Sequence, residues 1–265
     1  FMLGTVAKAK NTENAIWSTQ TVSEFPEIKL SNLEFNNTKV ISNTNPQQKE
    51  FWWSTVESVY WHSFDGDSLR GLLYKPENFD STKKYPMMVY FYERSSNQIH
   101  RYNIPQPSRS VICFPLYASN GYLIFVPDII YKTGQPGKSA FNCIVSGVYA
   151  LKDRYSFIDE HKIGLQGQSW GGYQIAYLVT QTNMFAAAMA GAPVSNMTSA
   201  YGGIRWGTGM SRIFQYEETQ SRIGGTLWQK PLHFIENSPL FMAPNVNTPL
   251  LIMSNDNDGS VPWYQ

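Results

Sequence analysis

The segment that decides the fold reads Ile163-Gly164-Leu165-Gln166-Gly167-Gln168-Ser169-Trp170-Gly171-Gly172-Tyr173. Its apolar start predicts a short strand, its G-x-S-x-G centre predicts a tight turn, and residues 173–181 continue as an apolar helix. The turn needs glycine at 167 and 171, because side chains there would collide with the neighbouring strand or helix. Such a nucleophile elbow lifts Ser169 into a cleft and directs the backbone N–H of Trp170 to the same place. A plain strand-to-helix turn is the alternative, and the flanking strand and helix favour the catalytic interpretation.

Alternating strands and helices surround the elbow. Short apolar runs occur at residues 87–92, 122–126, 163–165, 186–190 and 250–253. Longer helical segments separate them, and in one of these Ile144, Val148 and Leu151 share a face. This alternation predicts a parallel sheet with helical crossovers. Together with the elbow it predicts an α/β-hydrolase fold, with a mainly parallel central sheet flanked by helices.

The first fifty-odd residues have a different character. They are rich in Asn, Thr, Ser and Glu and contain short alternating runs at 27–30 and 38–41, which predict a small β structure. A boundary is expected near residues 45–48. Beyond it, apolar runs flank Asp65-Gly66, a pair typical of a hairpin turn. The sequence therefore predicts two domains, over residues 1–55 and 56–265.

The composition narrows the classes of partner. The 21 basic and 20 acidic residues nearly cancel and form no long run of one sign, which argues against a nucleic-acid partner. No stretch approaches the ~20 consecutive apolar residues of a membrane-spanning helix. The four histidines lack metal-ligand spacing, so neither a metal nor another cofactor is expected. A small or peptide-like partner fits best.

The apolar run at 250–253 ends in a loop of acidic and amide residues. Active sites of open α/β sheets gather at such strand ends, and the acid of a catalytic triad follows the nucleophile there. Asp256 and Asp258 are both candidates for this acid. Spacing alone does not choose between them, and both could instead cap the following turn.

A second strand end offers an oxyanion donor. The run at 87–92 leads into the loop where this fold usually supplies the second donor of its oxyanion hole. Tyr92 could donate through its hydroxyl group. The alternative is a tyrosine that only packs at the end of a strand.

Three segments, GQSWGGY, YFYERSS and LLIMSNDNDGSVP, resemble the catalytic domain of the prolyl oligopeptidase and dipeptidyl peptidase IV group of serine peptidases. The resemblance covers roughly residues 56–265. It implies Ser169 as the nucleophile, Asp258 in D-x-x-V as the acid, and Tyr92 with the Trp170 N–H as oxyanion donors. It also implies that residues 1–55 are the last blade and linker of a β-propeller.

The resemblance has departures as well as matches. Ser254-Asn255 stands where the group often has His-Gly, and the segment after Val194 lacks the paired tyrosines of a proline pocket. Proline specificity is therefore not established by the sequence. The residues expected to contact substrate are Tyr173, Val194, Tyr201, Trp206 and Tyr216.

The sequence contains no histidine at the position expected for the general base. In this group a histidine follows the acid by several tens of residues, whereas no histidine of this sequence follows Asp258. His233 lies between Ser169 and Asp258, in a context that suits a surface helix or loop. We therefore expect a truncated sequence whose catalytic histidine lies beyond residue 265, and expect residues 1–265 alone to be inactive.

The residues and the resemblance together predict a serine peptidase that cleaves oligopeptides through an acyl-enzyme, with cleavage after Pro or Ala as candidate specificities. One alternative is an esterase or acyl hydrolase on the same scaffold. Another is a binding protein whose site persists without a base. A homodimer is a candidate assembly, and analogy with the group favours a periplasmic or secreted location over a cytoplasmic one.

Overall fold

The N-terminal part of the chain forms a small antiparallel sheet. The computed structural model describes residues 1–108 and 110–265. The strands of this first sheet are β1 (Met2–Leu3), β2 (Ala7–Lys8), β3 (Asn14–Gln20), β4 (Glu27–Asn32) and β5 (Lys39–Val40). Strand β3 is central, since β1, β2 and β4 all pair with it, and β5 extends the sheet from β4. This is the β structure that the alternating polar runs predict.

A seven-stranded mixed sheet forms the centre of the larger part. The remaining strands are β6 (Ser54–His62), β7 (Ser68–Pro76), β8 (Tyr85–Tyr90), β9 (Leu123–Pro127), β10 (Ile158–Gln168), β11 (Ala187–Gly191), β12 (Ile204–Arg205), β13 (Met210–Ser211) and β14 (Leu250–Met253). The order across the sheet is β14-β11-β10-β8-β9-β7-β6, while β12 and β13 form a separate ribbon. Neighbours from β14 to β9 run parallel, and β7 and β6 add an antiparallel hairpin at one edge.

The predicted hairpin and domain boundary can be located on these strands. Gly66 in the turn between β6 and β7 has a φ of +87°, a conformation that glycine adopts without strain. Strand β6 starts at Ser54, so the larger sheet begins two residues before the expected boundary. The indole Nε1 of Trp53 donates to the carbonyl of Val22 at 2.8 Å and joins the start of β6 to the N-terminal part.

Six α-helices accompany the strands in the described part of the chain. They are α1 (Phe114–Ser119), α2 (Pro136–Arg154), α3 (Trp170–Gln181), α4 (Met197–Tyr201), α5 (Ile213–Glu217) and α6 (Pro231–Glu236). Helix α2 starts with Pro136, whose fixed φ suits a first turn, and ends with Lys152 and Arg154, which complement the helix dipole. None of the helices within residues 1–108 and 110–265 combines the length and apolar character needed to cross a bilayer.

A row of buried side chains aligns the strand ends below the elbow. Leu73, Phe125, Val89 and Leu165 are register partners on β7, β9, β8 and β10 and are all fully buried. Burying each such side chain contributes about 1.5–3 kcal/mol, and a slip by one residue would turn the row to the opposite face. The row therefore fixes the position of the carboxyl end of β10, which Ser169 follows.

Candidate active site

Ser169 occupies a strained turn between β10 and α3. Its φ of 60° and ψ of −115° lie outside the regions that residues with a side chain ordinarily adopt, at a cost of about 1–3 kcal/mol. Two hydrogen bonds hold this conformation. The Ser169 N–H donates to the carbonyl of Gly191 at 2.8 Å, and the Tyr173 N–H donates to the carbonyl of Ser169 at 2.9 Å. The arrangement has the geometry of a nucleophile elbow.

Close backbone contacts explain the glycines that follow the serine. A Cβ on Gly171 would lie 2.6 Å from the carbonyl oxygen of Phe91, and one on Gly172 would overlap the carbonyl oxygen of Gly191. A Cβ on Gly167 would lie 3.1 Å from the backbone of Gly171. The steric reason predicted for positions 167 and 171 is therefore present, and position 172 is the tightest of the three.

The Trp170 N–H stands at the N-terminus of α3. As the first residue of the helix it has no acceptor one turn back, so this N–H is available to an oxyanion at the positive end of the helix dipole. The Trp170 side chain is buried. Its ring stacks on Tyr173 with centroids 4.5 Å apart, and its Nε1 donates to the hydroxyl of Tyr131 at 2.8 Å. These contacts fix the backbone donor in place.

Tyr92, the second predicted donor, lies two residues beyond β8 and lines the same cleft as Ser169 and Asp258. Its hydroxyl oxygen is 2.9 Å from Nε2 of Gln220. Gln220 Oε1 in turn accepts from Nε2 of Gln215 at 2.9 Å. Gln215 Oε1 accepts from the Arg205 guanidinium at 2.9 Å. A chain of hydrogen bonds thus ends on the Tyr92 hydroxyl.

The donor-to-acceptor direction of these hydrogen bonds follows from Arg205, at the far end from Tyr92. Arginine has donors and no acceptor, so Gln215 must present its oxygen to Arg205 and its amide nitrogen to Gln220. Gln220 then presents its own nitrogen to Tyr92, and the hydroxyl oxygen of Tyr92 accepts. The hydroxyl proton of Tyr92 is therefore left free to point into the cleft, as an oxyanion donor requires.

Asp258 also faces this cleft. Its Oδ1 accepts the backbone N–H groups of Ser260 at 2.8 Å and Val261 at 3.0 Å, while Oδ2 accepts no hydrogen bond from residues 1–108 or 110–265. The carboxylate thus caps its turn and keeps one oxygen available. Asp256 is exposed and lies outside the lining of the cleft. The structure therefore favours Asp258 over Asp256 for a role beside Ser169.

Comparison with known proteins assigns the chain to a family. Residues 116–265 match the family model described as the prolyl oligopeptidase family. The chain belongs to the prolyl oligopeptidase family of serine peptidases. Human dipeptidyl peptidase 8 is 31% identical over 176 residues, which are 56% of this chain and 19% of that protein. The uncharacterized peptidase YuxL of Bacillus subtilis is 26% identical over 224 residues, which are 82% of this chain and 32% of that protein.

Solved structures agree in fold. The acylaminoacyl peptidase of Pyrococcus horikoshii superposes with a TM-score of 0.72 at 21% identity, covering 98% of this chain and 42% of that one. Dipeptidyl peptidase 4 of Porphyromonas gingivalis superposes with a TM-score of 0.66 at 18% identity, covering 94% of this chain and 35% of that one. The predicted α/β-hydrolase fold of this family member is confirmed. The chain spans less than half the length of each relative.

A narrow recess lies beside Ser169, and only some of the residues predicted to contact substrate line it. Val194 and Tyr216 line the recess together with Ser169. Trp206 lines neither the recess nor the cleft, although its backbone N–H donates to the Gly259 carbonyl at 3.0 Å, next to the acid loop. Its side chain is 59% exposed and stands at the rim.

The structure contradicts the prediction that Tyr173 and Tyr201 contact substrate. Tyr173 is fully buried because it packs between Trp170 and Tyr177 on the inner face of α3, where a substrate has no access. Tyr201 is also buried, since its ring packs edge-on against Phe234 at 5.1 Å and its hydroxyl donates to Glu217. Both side chains pack behind the residues that line the site and do not line it themselves.

None of the four histidines lines the recess or the cleft at Ser169. His62, His100 and His161 are exposed elsewhere on the surface. His233 packs against Gly134 in a separate cavity, with its Nδ1 3.3 Å from the carbonyl oxygen of Ile223. In the described part of this family member, Ser169 therefore shares its surroundings with Asp258, Tyr92 and the Trp170 N–H, and with no imidazole.

Several polar residues of the recess carried no specific signal in the sequence. Arg205, Arg212, Gln215, Gln220 and Ser221 all line it, and they come from the irregular segment between β11 and α6. Their pattern in the sequence matches no motif. Only the folding of β12, β13 and α5 back over the elbow brings them together.

Proposed function

We propose that this protein is a serine peptidase that hydrolyses peptide bonds through an acyl-enzyme formed on Ser169. The observation that carries the proposal is the strained Ser169, which shares one cleft with Asp258 and Tyr92. Membership in a family of serine peptidases supports it. So does the description of the relatives as dipeptidyl peptidase 8 and as an uncharacterized peptidase.

In the proposed reaction, Ser169 Oγ attacks the scissile carbonyl carbon and passes its proton to a general base. The negative charge that develops on the carbonyl oxygen is stabilised by the Trp170 N–H and the Tyr92 hydroxyl. The base returns the proton to the leaving amine as the carbon–nitrogen bond breaks. Water activated by the same base then attacks the ester carbonyl and releases Ser169.

We assign the general base to a histidine outside residues 1–265, because none of the four within this range lines the cleft. The free Oδ2 of Asp258 would accept the imidazole Nδ1–H and hold the ring in the tautomer that presents Nε2 to Ser169. Residues 1–265 by themselves would then lack the base. Without it the serine hydroxyl is a weak nucleophile at neutral pH.

The experiment compares peptide and ester hydrolysis by the full-length protein. A mixture of blocked and unblocked peptides is incubated with the wild type and with Ser169→Ala, and the products are identified by mass spectrometry. Short p-nitrophenyl acyl esters are tested in parallel. Cleavage of peptides that disappears in Ser169→Ala is the expected result. Ester hydrolysis at Ser169 without any peptide cleavage would instead support an acyl hydrolase.

A further inference from the structure

The recess beside Ser169 is lined by several polar and charged side chains as well as apolar ones. Its cavity volume is about 20 Å³. Its apolar lining residues include Trp170, Val194 and Val261. The remaining lining consists of Ser169, Arg205, Arg212, Gln215, Tyr216, Gln220, Ser221 and Ser260. Two arginines therefore stand in one small recess.

Arg212 is buried without a counter-charge. It is 2% exposed, and none of the ion pairs formed within residues 1–108 and 110–265 includes it or Arg205. Its Nε has no hydrogen-bond partner there either. The guanidinium carbon lies 5.4 Å from the centre of the Tyr216 ring. Burying an unpaired cation is costly, so such an arginine indicates a site that an anion completes.

The backbone holds Arg212 in this position. Its N–H donates to the carbonyl of Gly203 at 3.0 Å, and its own carbonyl accepts from Gln215 at 3.0 Å and from Tyr216 at 3.3 Å. These bonds tie Arg212 to the start of α5. The guanidinium is therefore presented to the recess by a fixed element, which lowers the cost of ordering it when a ligand binds.

Two further hydroxyl groups of the recess lack partners. Tyr216 Oη and Ser221 Oγ are buried, each residue being 1% exposed, and neither forms a hydrogen bond with the described residues. Burial raises the pKa of Tyr216 to about 12, so this hydroxyl stays protonated and can donate. Three unsatisfied donors thus line one recess. A carboxylate accepts only, with two oxygens, and matches such a set.

We propose that this recess binds the side-chain carboxylate of an aspartate or glutamate that contributes the scissile carbonyl, so that the peptidase cleaves after acidic residues. The inference rests on the proposed function, since it needs the acyl group to be bonded to Ser169. The residue whose carbonyl carbon reaches Ser169 Oγ would have its own side chain closest to the recess, because Ser169 and Trp170 both line it.

The test uses the full-length protein and peptidyl anilides that differ only in the residue before the anilide: Glu, Asp, Gln, Ala, Pro or Leu. Glu against Gln is the decisive pair, because the two have the same shape and differ in charge. The wild type is expected to favour Glu or Asp over Gln by at least about tenfold in kcat/KM. A higher kcat/KM for Gln, Ala, Pro or Leu would overturn the proposal.

Arg212→Met is the main variant. Removing one partner of a buried charge pair is expected to lower the ratio of kcat/KM for Glu over Gln by on the order of 10²-fold. Arg154→Met is the matched control, because Arg154 is exposed on the last turn of α2, and it should keep the wild-type ratio. An unchanged ratio in Arg212→Met would contradict the assignment of the recess.

Two milder variants cover the case in which Arg212→Met does not fold. Ser221→Ala and Tyr216→Phe each remove one neutral donor, and each is expected to lower the Glu over Gln ratio about fivefold. Labelling of Ser169 by a fluorophosphonate, which needs no acidic group, separates the two proposals. A labelled enzyme without preference for Glu or Asp refutes the recess alone, whereas an unlabelled, folded enzyme refutes the peptidase function.

Discussion

Replacing Gln220 with leucine removes the Nε2–H that the Tyr92 hydroxyl oxygen accepts at 2.9 Å. Tyr92 is 39% exposed, and its hydroxyl would then be free to rotate between the cleft and water. A neutral hydrogen bond of this kind contributes about 0.5–1.5 kcal/mol, which corresponds to roughly two- to twelvefold in kcat/KM. Tyr92→Phe removes the oxyanion donor altogether and should cost about 10²–10³-fold in kcat.

A double-mutant cycle distinguishes positioning of Tyr92 from a direct role of Gln220. If Gln220 acts through Tyr92, then Gln220→Leu should have no further effect on the turnover of a neutral peptide in the Tyr92→Phe background. Gln47→Leu is the control, since Gln47 is exposed in the N-terminal part of the chain. Peptide hydrolysis is measured for all four members of the cycle. Equal fold-losses from Gln220→Leu in both backgrounds would refute the relay that starts at Arg205.

Three other substitutions or treatments test separate parts of the structure. Asp258→Asn should lower kcat by about 10⁴-fold while Asp256→Asn has little effect, and the reverse order in steady-state assays would reassign the acid. Gly172→Ala should destabilise the protein by about 3 kcal/mol in urea titrations, because its Cβ would overlap the Gly191 carbonyl. Gly202→Ala has open space around the new methyl and should be nearly neutral. Burial raises the pKa of Cys143 to about 11, so its thiolate fraction at pH 8 is about 10⁻³ and iodoacetamide should leave it unmodified until urea is added. Equally fast alkylation of Cys143 in the native protein would contradict that burial.

The features that sequence could predict are those that local chemistry determines. The turn around Ser169 brings its backbone close to neighbouring strands and therefore needs glycines, as the contact of Gly171 with the carbonyl oxygen of Phe91 shows. Short apolar runs predicted parallel strands because strands covered on both faces have no polar face to expose. The Asp65-Gly66 pair predicted the hairpin, because glycine readily adopts the positive φ that Gly66 has in its turn. Each of these inferences came from a short sequence pattern, and the fold agrees with them.

The features that sequence missed depend on packing between distant segments. Tyr173 and Tyr201 are aromatic and close to the site in the chain, but helix direction and the contact with Phe234 turn them into the core. Arg212 looks like a solvated residue in a polar loop. It becomes part of the recess only because α5 folds back over the elbow, a tertiary event that no local pattern encodes.

Labelling of the full-length protein with a fluorophosphonate, located by peptide mass spectrometry, tests the central claim most directly. The reagent reports an activated serine without assuming a substrate. The account predicts one label per chain on Ser169, its loss in Ser169→Ala, and its persistence in Ser119→Ala, a change on the exposed side of α1. A folded protein that takes up no label, or a label on another serine, would contradict the account.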